Sequence, residues 1–145
     1  MKLIEFLVSK ISYYHSNKSY AVVLNEINGD RRLPIMLGSY EAQAIAIAME
    51  SIDTQRPLTH DLLINALQGL GLSLKNVTIN RCEEEIFFSS INIVSPSLVE
   101  KNIDSRPSDA IILALKLHCP IFVNELLIDN INKNQLAILD DDQNI

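Results

Sequence analysis

The apolar positions near the start of the chain follow the two-residue period of β-strands. Asn28-Gly29 separates two of these segments and is typical of a type I′ hairpin turn, in which both central residues need positive φ. Pro34 lacks a backbone N–H, which places its strand at a sheet edge. The sequence therefore predicts a three-stranded N-terminal meander over residues 2–8, 19–27 and Arg32–Leu37.

From Ser39 the apolar period changes to that of amphipathic helices. The first helix has an apolar face that comprises Ile45, Ala48, Met49 and Ile52. Thr59 is the expected N-cap of a second helix that stops at Gly69-Leu70-Gly71. The inward face predicted for that helix comprises Leu63, Ile64, Leu67 and Leu70. The third helix, Pro107–Leu117, is apolar nearly all round and should be deeply buried.

A second meander is predicted between the second and third helices. Its strands are Leu74–Cys82, Ile86–Val94 and Leu98–Asp104, joined by an all-glutamate turn, Glu83–Glu85, and by Ser95-Pro96-Ser97. A short strand, Ile121–Val123, and a helical stretch over Glu125–Asn130 capped by Asn124 follow. We therefore expect an α+β fold in which a mixed, mostly antiparallel sheet packs with three main helices. The expected domain covers residues 1–130, and an acidic, partly disordered tail covers 131–145.

Composition limits the partners of this 145-residue chain, which carries a formal net charge of -6. Residues 125–145 hold one base and five acids, so most of the negative charge lies near the C-terminus. No basic patch with interleaved aromatic residues is visible, so bulk charge does not favour tight binding to a duplex. The opening segment resembles a strand and not a signal peptide or membrane anchor, and Cys82 and Cys119 resemble reduced thiols. A cytoplasmic protein is expected.

Each main helix carries a carboxylate in its first turn: Glu41, Asp61 and Asp109. Acids there stabilise helices by interacting with the macrodipole, which is the simplest explanation. The helical phase, however, aims Glu41 and Asp109 toward the core side, where a carboxylate needs an ion-pair partner or a metal. Arg106 is a natural bidentate partner.

His60 falls on the inward face of the second helix, whereas Asp61 aligns with the polar face and is the weakest candidate for a shared site. His60 is either a hydrogen-bonded core histidine or a general base or ligand, because imidazole exchanges protons near neutral pH. The other histidines and both cysteines have no recognisable partners or metal-ligand spacing, and we expect structural roles for His15, His118, Cys82 and Cys119.

Three segments, LPIMLGSYEAQAIAIAME, RPLTHDLL and IDSRPSDAIILAL followed by PIFV, resemble in order and spacing the bifunctional nuclease domain family, also called domain of unknown function 151. The resemblance covers roughly residues 1–127. It implies an α+β fold, a cytoplasmic protein and, for some members, degradation of DNA and RNA. The Glu83–Glu85 turn departs from the family, in which a glycine-containing turn is expected.

The first functional hypothesis is a metal-assisted nuclease that acts on single-stranded or duplex nucleic acid. In it Glu41 and Asp109 hold Mg²⁺ or Mn²⁺, and either His60 or Asp61 prepares the attacking water. Arg106 would steady the scissile phosphate. Further substrate contacts are expected from Ser39, Arg56, Thr59 and Ser108.

The alternative hypothesis is a non-catalytic module, either an oligomeric protein or a small-ligand regulatory domain. The same charged residues would then form a structural ion-pair network. If that network is buried, removing Arg106 should cost about 3 to 5 kcal/mol. The high apolar content, 48%, also leads us to expect a homo-oligomer.

Overall fold

Eight strands form one sheet in residues 1–129 and 143–144, the part of the chain that this computed structural model describes. The strands are β1 Leu3–Tyr14, β2 Ser19–Glu26, β3 Arg32–Leu37, β4 Ser73–Glu83, β5 Ile86–Val94, β6 Glu100–Ser105, β7 Ile121–Asn124 and β8 Gln143–Asn144. The helices are α1 Ser39–Met49, α2 Thr59–Gly69, α3 Pro107–Leu117 and α4 Glu125–Asp129.

The sheet joins two antiparallel meanders through one central strand. Its order is β3-β2-β1-β7-β4-β5-β6, and β8 pairs with β1. Strand β7 lies antiparallel to β1 and parallel to β4, and β4 and β7 form a parallel pair in an otherwise antiparallel sheet. The predicted α+β fold with a mixed, mostly antiparallel sheet is confirmed, and Pro34 lies on the edge strand β3 as expected.

Strand β1 is longer than its prediction over residues 2–8. The pairing with β2 shifts between Val8 and Lys10, so Ser9 forms a β-bulge. A bulge moves the following residues to the opposite alternation, which hides a strand from a period-two search. Phe6 and Val8 therefore contact the core before the bulge, and Ile11 contacts it afterwards.

The type I′ conformation predicted at Asn28-Gly29 occurs at a different hairpin. Asn28-Gly29 lies in a five-residue loop, 27–31, and neither residue has positive φ, so the predicted type I′ turn is wrong although the hairpin is present. The type I′ conformation occurs instead at Glu84 and Glu85, whose φ angles are 50° and 67°. Two L-residues bearing acids thus occupy positions that favour glycine or asparagine.

The core lies between one face of the sheet and helices α1 and α3. Helix α3 buries every residue from Ala110 to Ala114, which confirms the prediction for that helix. Ile45 and Ala48 of α1 are also buried, but Ile52 is 53% exposed because α1 ends at Met49. Ser51 adopts a left-handed conformation, with φ 52°, and the Ile52 N–H binds the Ile47 carbonyl to terminate the helix.

Helix α2 is far more exposed than its sequence suggests. Ile64 is its buried residue, whereas Leu63 is 41% and Leu70 75% exposed, so the predicted inward face is only partly correct. Leu58, not Thr59, is the N-cap, and the Leu58 N–H donates to the Asp61 carboxylate. Gly71, with φ 75°, follows the end of the helix as predicted.

At the second meander, Leu98 lies in the turn before β6, with φ 64°, so β6 begins later than predicted. Asn124 caps α4 by accepting from the Leu126 N–H, as expected. The proposed acidic tail, residues 131–145, lies outside the described residues apart from β8. Within the described part, no helix combines the length and hydrophobicity that crossing a membrane requires.

Candidate functional site

Helices α1, α2 and α3 begin beside one another, and each has an acid at its third residue. Glu41, Asp61 and Asp109 therefore occupy equivalent positions, where a carboxylate can reach back toward the N-cap. None of the three N-cap residues uses its side chain to cap the helix. The three acids nevertheless have different partners, and those partners define the site.

Arg106 is the N-cap of α3 and holds Asp109 from the same helix. Its Nε donates to Oδ2 of Asp109 at 2.9 Å, and its Nη2 donates to Oδ1 at 3.2 Å. This bidentate geometry is the strongest that arginine and a carboxylate form. The Arg106 side chain is 64% exposed, so this is not the buried pair that the network hypothesis assumed.

His60 of α2 joins the same carboxylate from the other side. Its Nε2 lies 2.8 Å from Oδ1 of Asp109, and the two side chains are 20% and 30% exposed. The sequence placed His60 on the inward face of α2, and the structure gives that orientation a partner. The resulting arrangement links a histidine to a carboxylate that an arginine also holds.

The charge state of Asp109 fixes the direction of the His60 hydrogen bond. Partial burial raises the pKa of Asp109, but the hydrogen bonds from Arg106 and His60 together lower it by more than burial raises it. The pKa of Asp109 therefore lies below its ordinary value. Asp109 is therefore ionised near neutral pH and can only accept hydrogen bonds. His60 donates from Nε2, which leaves the Nδ1 lone pair of the neutral ring available to accept a proton.

Glu41 of α1 completes the cluster through a weaker contact. Nη1 of Arg106 lies 3.4 Å from Oε1 of Glu41. The Glu41 carboxylate folds back over Gly38, where a Cβ atom would lie 2.5 Å from Oε2. Gly38 thus leaves the space that the Glu41 carboxylate occupies. Glu41, His60, Arg106 and Asp109 are the predicted residues that the structure brings together.

Asp61 belongs to a different contact. Its Oδ1 lies 2.8 Å from Nζ of Lys116, in the last turn of α3, and its Oδ2 accepts from the Leu58 N–H. Lys116 lowers the pKa of Asp61. Sequence reasoning missed Lys116, although a spacing of seven residues puts it on the same stripe of α3 as Asp109.

The predicted substrate-binding residues are spread around the cluster. Ser39 and Thr59 are exposed first residues of α1 and α2, and Ser39 lines a groove of about 680 Å³ between α1 and strands β1 and β2. Arg56 is exposed in the connection before α2, where its carbonyl accepts from the Thr54 hydroxyl. Ser108, in contrast to the other three, is only 5% exposed.

Sequence comparison with known proteins gives a family for this fold and cluster. The family model described as the bifunctional nuclease domain matches residues 22–135. The chain belongs to the bifunctional nuclease domain family. The match spans all four clustered residues, as well as Asp61 and Lys116.

The chain is similar to proteins from bacteria and from plants. An uncharacterized protein of Mycobacterium tuberculosis is 39% identical over 109 residues, which cover 74% of this chain and 63% of the relative. Bifunctional nuclease 1 of Oryza sativa subsp. japonica is 26% identical over 114 residues, which cover 77% of this chain and 34% of the rice protein. The chain therefore spans less than two thirds of the length of each of these relatives.

Membership of a nuclease family raises the question of whether the side chains of the cluster can bind a metal ion. Among residues 1–129 and 143–144, no group of three His, Cys, Asp or Glu side chains is arranged to hold a metal ion. Arg106 contacts both candidate ligands, Glu41 and Asp109, and takes both oxygens of the latter. Because a guanidinium and a cation would compete for these oxygens, the residues as arranged do not fit Mg²⁺ or Mn²⁺.

The cluster retains hydrogen-bond donors for a further acceptor. Helix N-termini attract negative charge because their first N–H groups and the macrodipole point outward, and three of them meet here. Arg106 uses three N–H groups on carboxylates, which leaves one on Nη1 and one on Nη2 for a further acceptor.

Proposed function

We propose that the chain is a nuclease that hydrolyses phosphodiester bonds at the cluster of Glu41, His60, Arg106 and Asp109. The observation that carries the proposal is the hydrogen bond between His60 and Asp109, 2.8 Å long, beside an arginine with exposed donors. A histidine oriented by a carboxylate is an established arrangement for general base catalysis. Membership of the bifunctional nuclease domain family supports the same reaction class.

In the proposed mechanism His60 moves the proton. Asp109 holds the ring through Nε2, so the opposite nitrogen, Nδ1, takes a proton from the water that attacks phosphorus. The positive charge that forms on the ring is stabilised by the ionised Asp109. As the water oxygen bonds to phosphorus, the bond from phosphorus to the leaving sugar oxygen breaks, and that alkoxide takes a proton from solvent. The imidazolium then releases its own proton to solvent, which restores the neutral ring for the next cycle.

Arg106 binds the scissile phosphate in this proposal. Its two remaining N–H groups would contact non-bridging oxygens, on which negative charge develops as the water attacks. Glu41 and Asp109 hold the guanidinium plane in place. Ser39, Arg56 and Thr59 are proposed contacts to the neighbouring backbone of the substrate, since all three are exposed around the helix starts.

DNA and RNA, single-stranded or duplex, are the proposed substrates. A net charge of -6 gives no long-range attraction to nucleic acid, so recognition would depend on local donors at the helix starts. Contacts to phosphate oxygens do not require the 2′-hydroxyl group that distinguishes RNA from DNA. Cleavage is therefore measured on both DNA and RNA.

A metal-assisted route, with Mg²⁺ or Mn²⁺ on Glu41 and Asp109, is the finer form of the proposal. It requires Arg106 to release both carboxylates. The assay incubates the protein and its Glu41→Ala and Asp109→Ala variants with labelled single-stranded DNA and RNA, in Mg²⁺, Mn²⁺ or EDTA. The nuclease proposal fails if the wild type cuts nothing or the folded variants cut equally well.

A non-catalytic module is the second candidate, because both Glu41 and Asp109 are satisfied by Arg106. On that account the cluster holds three helix starts together or contributes to a small-ligand regulatory site. No cleavage is then expected with Mg²⁺, with Mn²⁺ or with EDTA. The exposed leucines of α2, Leu62, Leu63 and Leu70, support the homo-oligomer that the composition suggests. Analytical ultracentrifugation measures the oligomeric state.

The two free cysteines support the proposed cytoplasmic location.

A further inference from the structure

Helix α2 contacts α3 at both ends of α3, through two neighbouring residues. His60 reaches Asp109 in the first turn of α3, and Asp61 reaches Lys116 in its last turn. Asp109 and Lys116 are two helical turns apart, about 10 Å along the axis. Two attachments at that separation fix both the position and the rotation of the first turn of α2.

Apolar packing alone holds α2 weakly. Ile64 is its buried side chain and Leu67 is partly buried against the core, while Leu62 is 63% and Leu63 is 41% exposed. A helix with so little buried surface can rotate or slide at low cost, because burial of apolar area supplies most of the orienting energy in a packed helix. Polar contacts therefore matter more here than on α1 or α3.

Lys116 is unusual for a charged residue, since its side chain is only 17% exposed. The ammonium group of a mostly buried lysine side chain needs a close partner, and Asp61 provides one at 2.8 Å. The C-terminal end of α3 adds favourable interaction with a cation. Asp61 also accepts from the Leu58 N–H, so the same carboxylate fixes the start of α2.

We propose that the Lys116–Asp61 ion pair is a positioning device that sets the His60 ring against Asp109. This inference rests on the proposed function for its catalytic consequence, but its structural part stands apart from cleavage. Neither residue would touch substrate. The charged groups around His60 are Asp109 and Arg106 on α3, Asp61 on α2, and Glu41 on α1 through Arg106.

The test compares the wild type with Lys116→Met and with a matched control, Lys75→Met. Lys75 also forms a lysine–carboxylate pair, with Glu100 at 2.6 Å, but on the exposed surface of the second meander. The direct readout is the hydrogen-bonded ring N–H proton of His60 in NMR spectra, assigned by its loss in His60→Asn. The kinetic readout is the division of any rate loss between kcat and KM.

The wild type and Lys75→Met should show the protected His60 ring proton. Lys116→Met should lose it, and kcat should fall by about 10- to 100-fold with KM nearly unchanged, because misplacement of a catalytic group affects the chemical step. Lys116→Arg, which keeps the charge, should restore both signals. If Lys116→Met does not fold, Asp61→Asn replaces it, since its amide oxygen still accepts from the Leu58 N–H.

A Lys116→Met or Asp61→Asn protein that retains the ring proton would overturn the positioning role. So would a Lys116→Arg variant that is folded but behaves like Lys116→Met. If the wild type cuts no nucleic acid, the proposed function fails, and the ring proton still decides whether the ion pair positions His60. The two inferences therefore fail separately.

Discussion

Two arginine-centred networks in this protein are built from similar parts. Arg31 binds Glu26 through Nε and Nη2 at 2.9 and 2.8 Å and reaches Glu125 at 3.3 Å. Arg106 likewise binds one acid twice and a second acid more distantly. Each network also presses a carboxylate against a glycine, Glu26 over Gly29 and Glu41 over Gly38.

The networks differ in exposure and in one residue type. The Arg31 side chain is 36% exposed and Glu26 is 10% exposed, whereas Arg106 is 64% exposed. The Arg106 network also contains His60 and lies where three helices begin. In both places, an arginine that binds two acids and a glycine under a carboxylate order a loop or the start of a helix. The histidine and the open edge of the arginine distinguish a candidate site from a structural network.

Among the changes that compare the two networks, the largest effect is expected from removing each arginine in turn. Arg106→Met should lower the cleavage rate by about 10²- to 10³-fold, because the two N–H groups proposed to face the developing anion are lost. Arg31→Met should leave the rate within about twofold, since Arg31 lies outside the cluster. Rates are measured with labelled single-stranded substrate on variants that circular dichroism shows to be folded.

Stability should change in the opposite order. Arg106→Met should lower the free energy of unfolding by only about 0.2 to 1 kcal/mol, as for an exposed ion pair. Arg31→Met should lower the denaturation midpoint more, because its partner Glu26 is largely buried. Equal rate losses in the two folded variants would remove the distinction between the networks.

The second prediction uses the two glycines. Gly38→Ala places a Cβ where the Glu41 carboxylate lies, and the flexible carboxylate must move away from Arg106. Gly38 has φ -76°, so alanine fits the backbone, and we expect about a tenfold loss of rate with a cost near 0.5 to 1 kcal/mol.

Gly29→Ala is the matched control, since it disturbs Glu26 in the same way but should not change the rate. Glu41→Gln combined with Gly38→Ala should be no slower than Glu41→Gln alone, because both changes act on one contact. Additive rate losses would show that Gly38 has another role.

The third prediction concerns acid. The pKa of Asp109 in the folded protein lies below its ordinary value, so its contribution to stability is present above about pH 3.9 and is lost as the pH falls through the folded pKa. Asp109→Asn should therefore lose less stability than the wild type between about pH 5 and 3. Urea unfolding at several pH values measures the difference.

Asp53→Asn, which changes an exposed carboxyl group, should keep the acid dependence of the wild type. An Asp109→Asn protein with the full acid dependence would mean that the ionised carboxylate contributes little to the cluster.

The smallest effect is expected at the all-glutamate turn, Glu83–Glu85, which belongs to neither arginine network. Glu85 has φ 67°, a conformation that glycine adopts without the usual steric cost. Glu85→Gly should raise the free energy of unfolding by about 0.5 to 1 kcal/mol and leave cleavage unchanged. Glu83→Gly, within strand β4, should lower it. If Glu85→Gly changes the rate, the hairpin belongs to the substrate surface.

Local pattern predicted most of the fold. The apolar runs identified the seven strands from β1 to β7 and all three main helices, and the near-continuous apolar sequence of α3 indicated its burial. The pattern failed where one residue changed the phase, as at the Ser9 bulge. It also failed on α2, because helical periodicity shows which residues share a face but not whether a neighbour covers it.

The candidate site was partly predictable for a similar reason. Helical phase correctly oriented His60, and the pair of Arg106 and Asp109 follows from their spacing of three residues. The contacts between helices, His60 with Asp109 and Asp61 with Lys116, join residues 49 and 55 positions apart. Such pairings depend on how the helices dock, which no local pattern contains.

The central claim is that His60, and not the ion pairs around it, makes this cluster a nuclease site. Single-turnover cleavage of labelled single-stranded RNA and DNA by His60→Asn, compared with His15→Asn, tests it most directly. His60→Asn should be slower than the wild type by about 10²- to 10⁴-fold, the contribution of a general base, while His15→Asn should retain full rate. A folded His60→Asn protein that cuts as fast as the wild type would contradict the account.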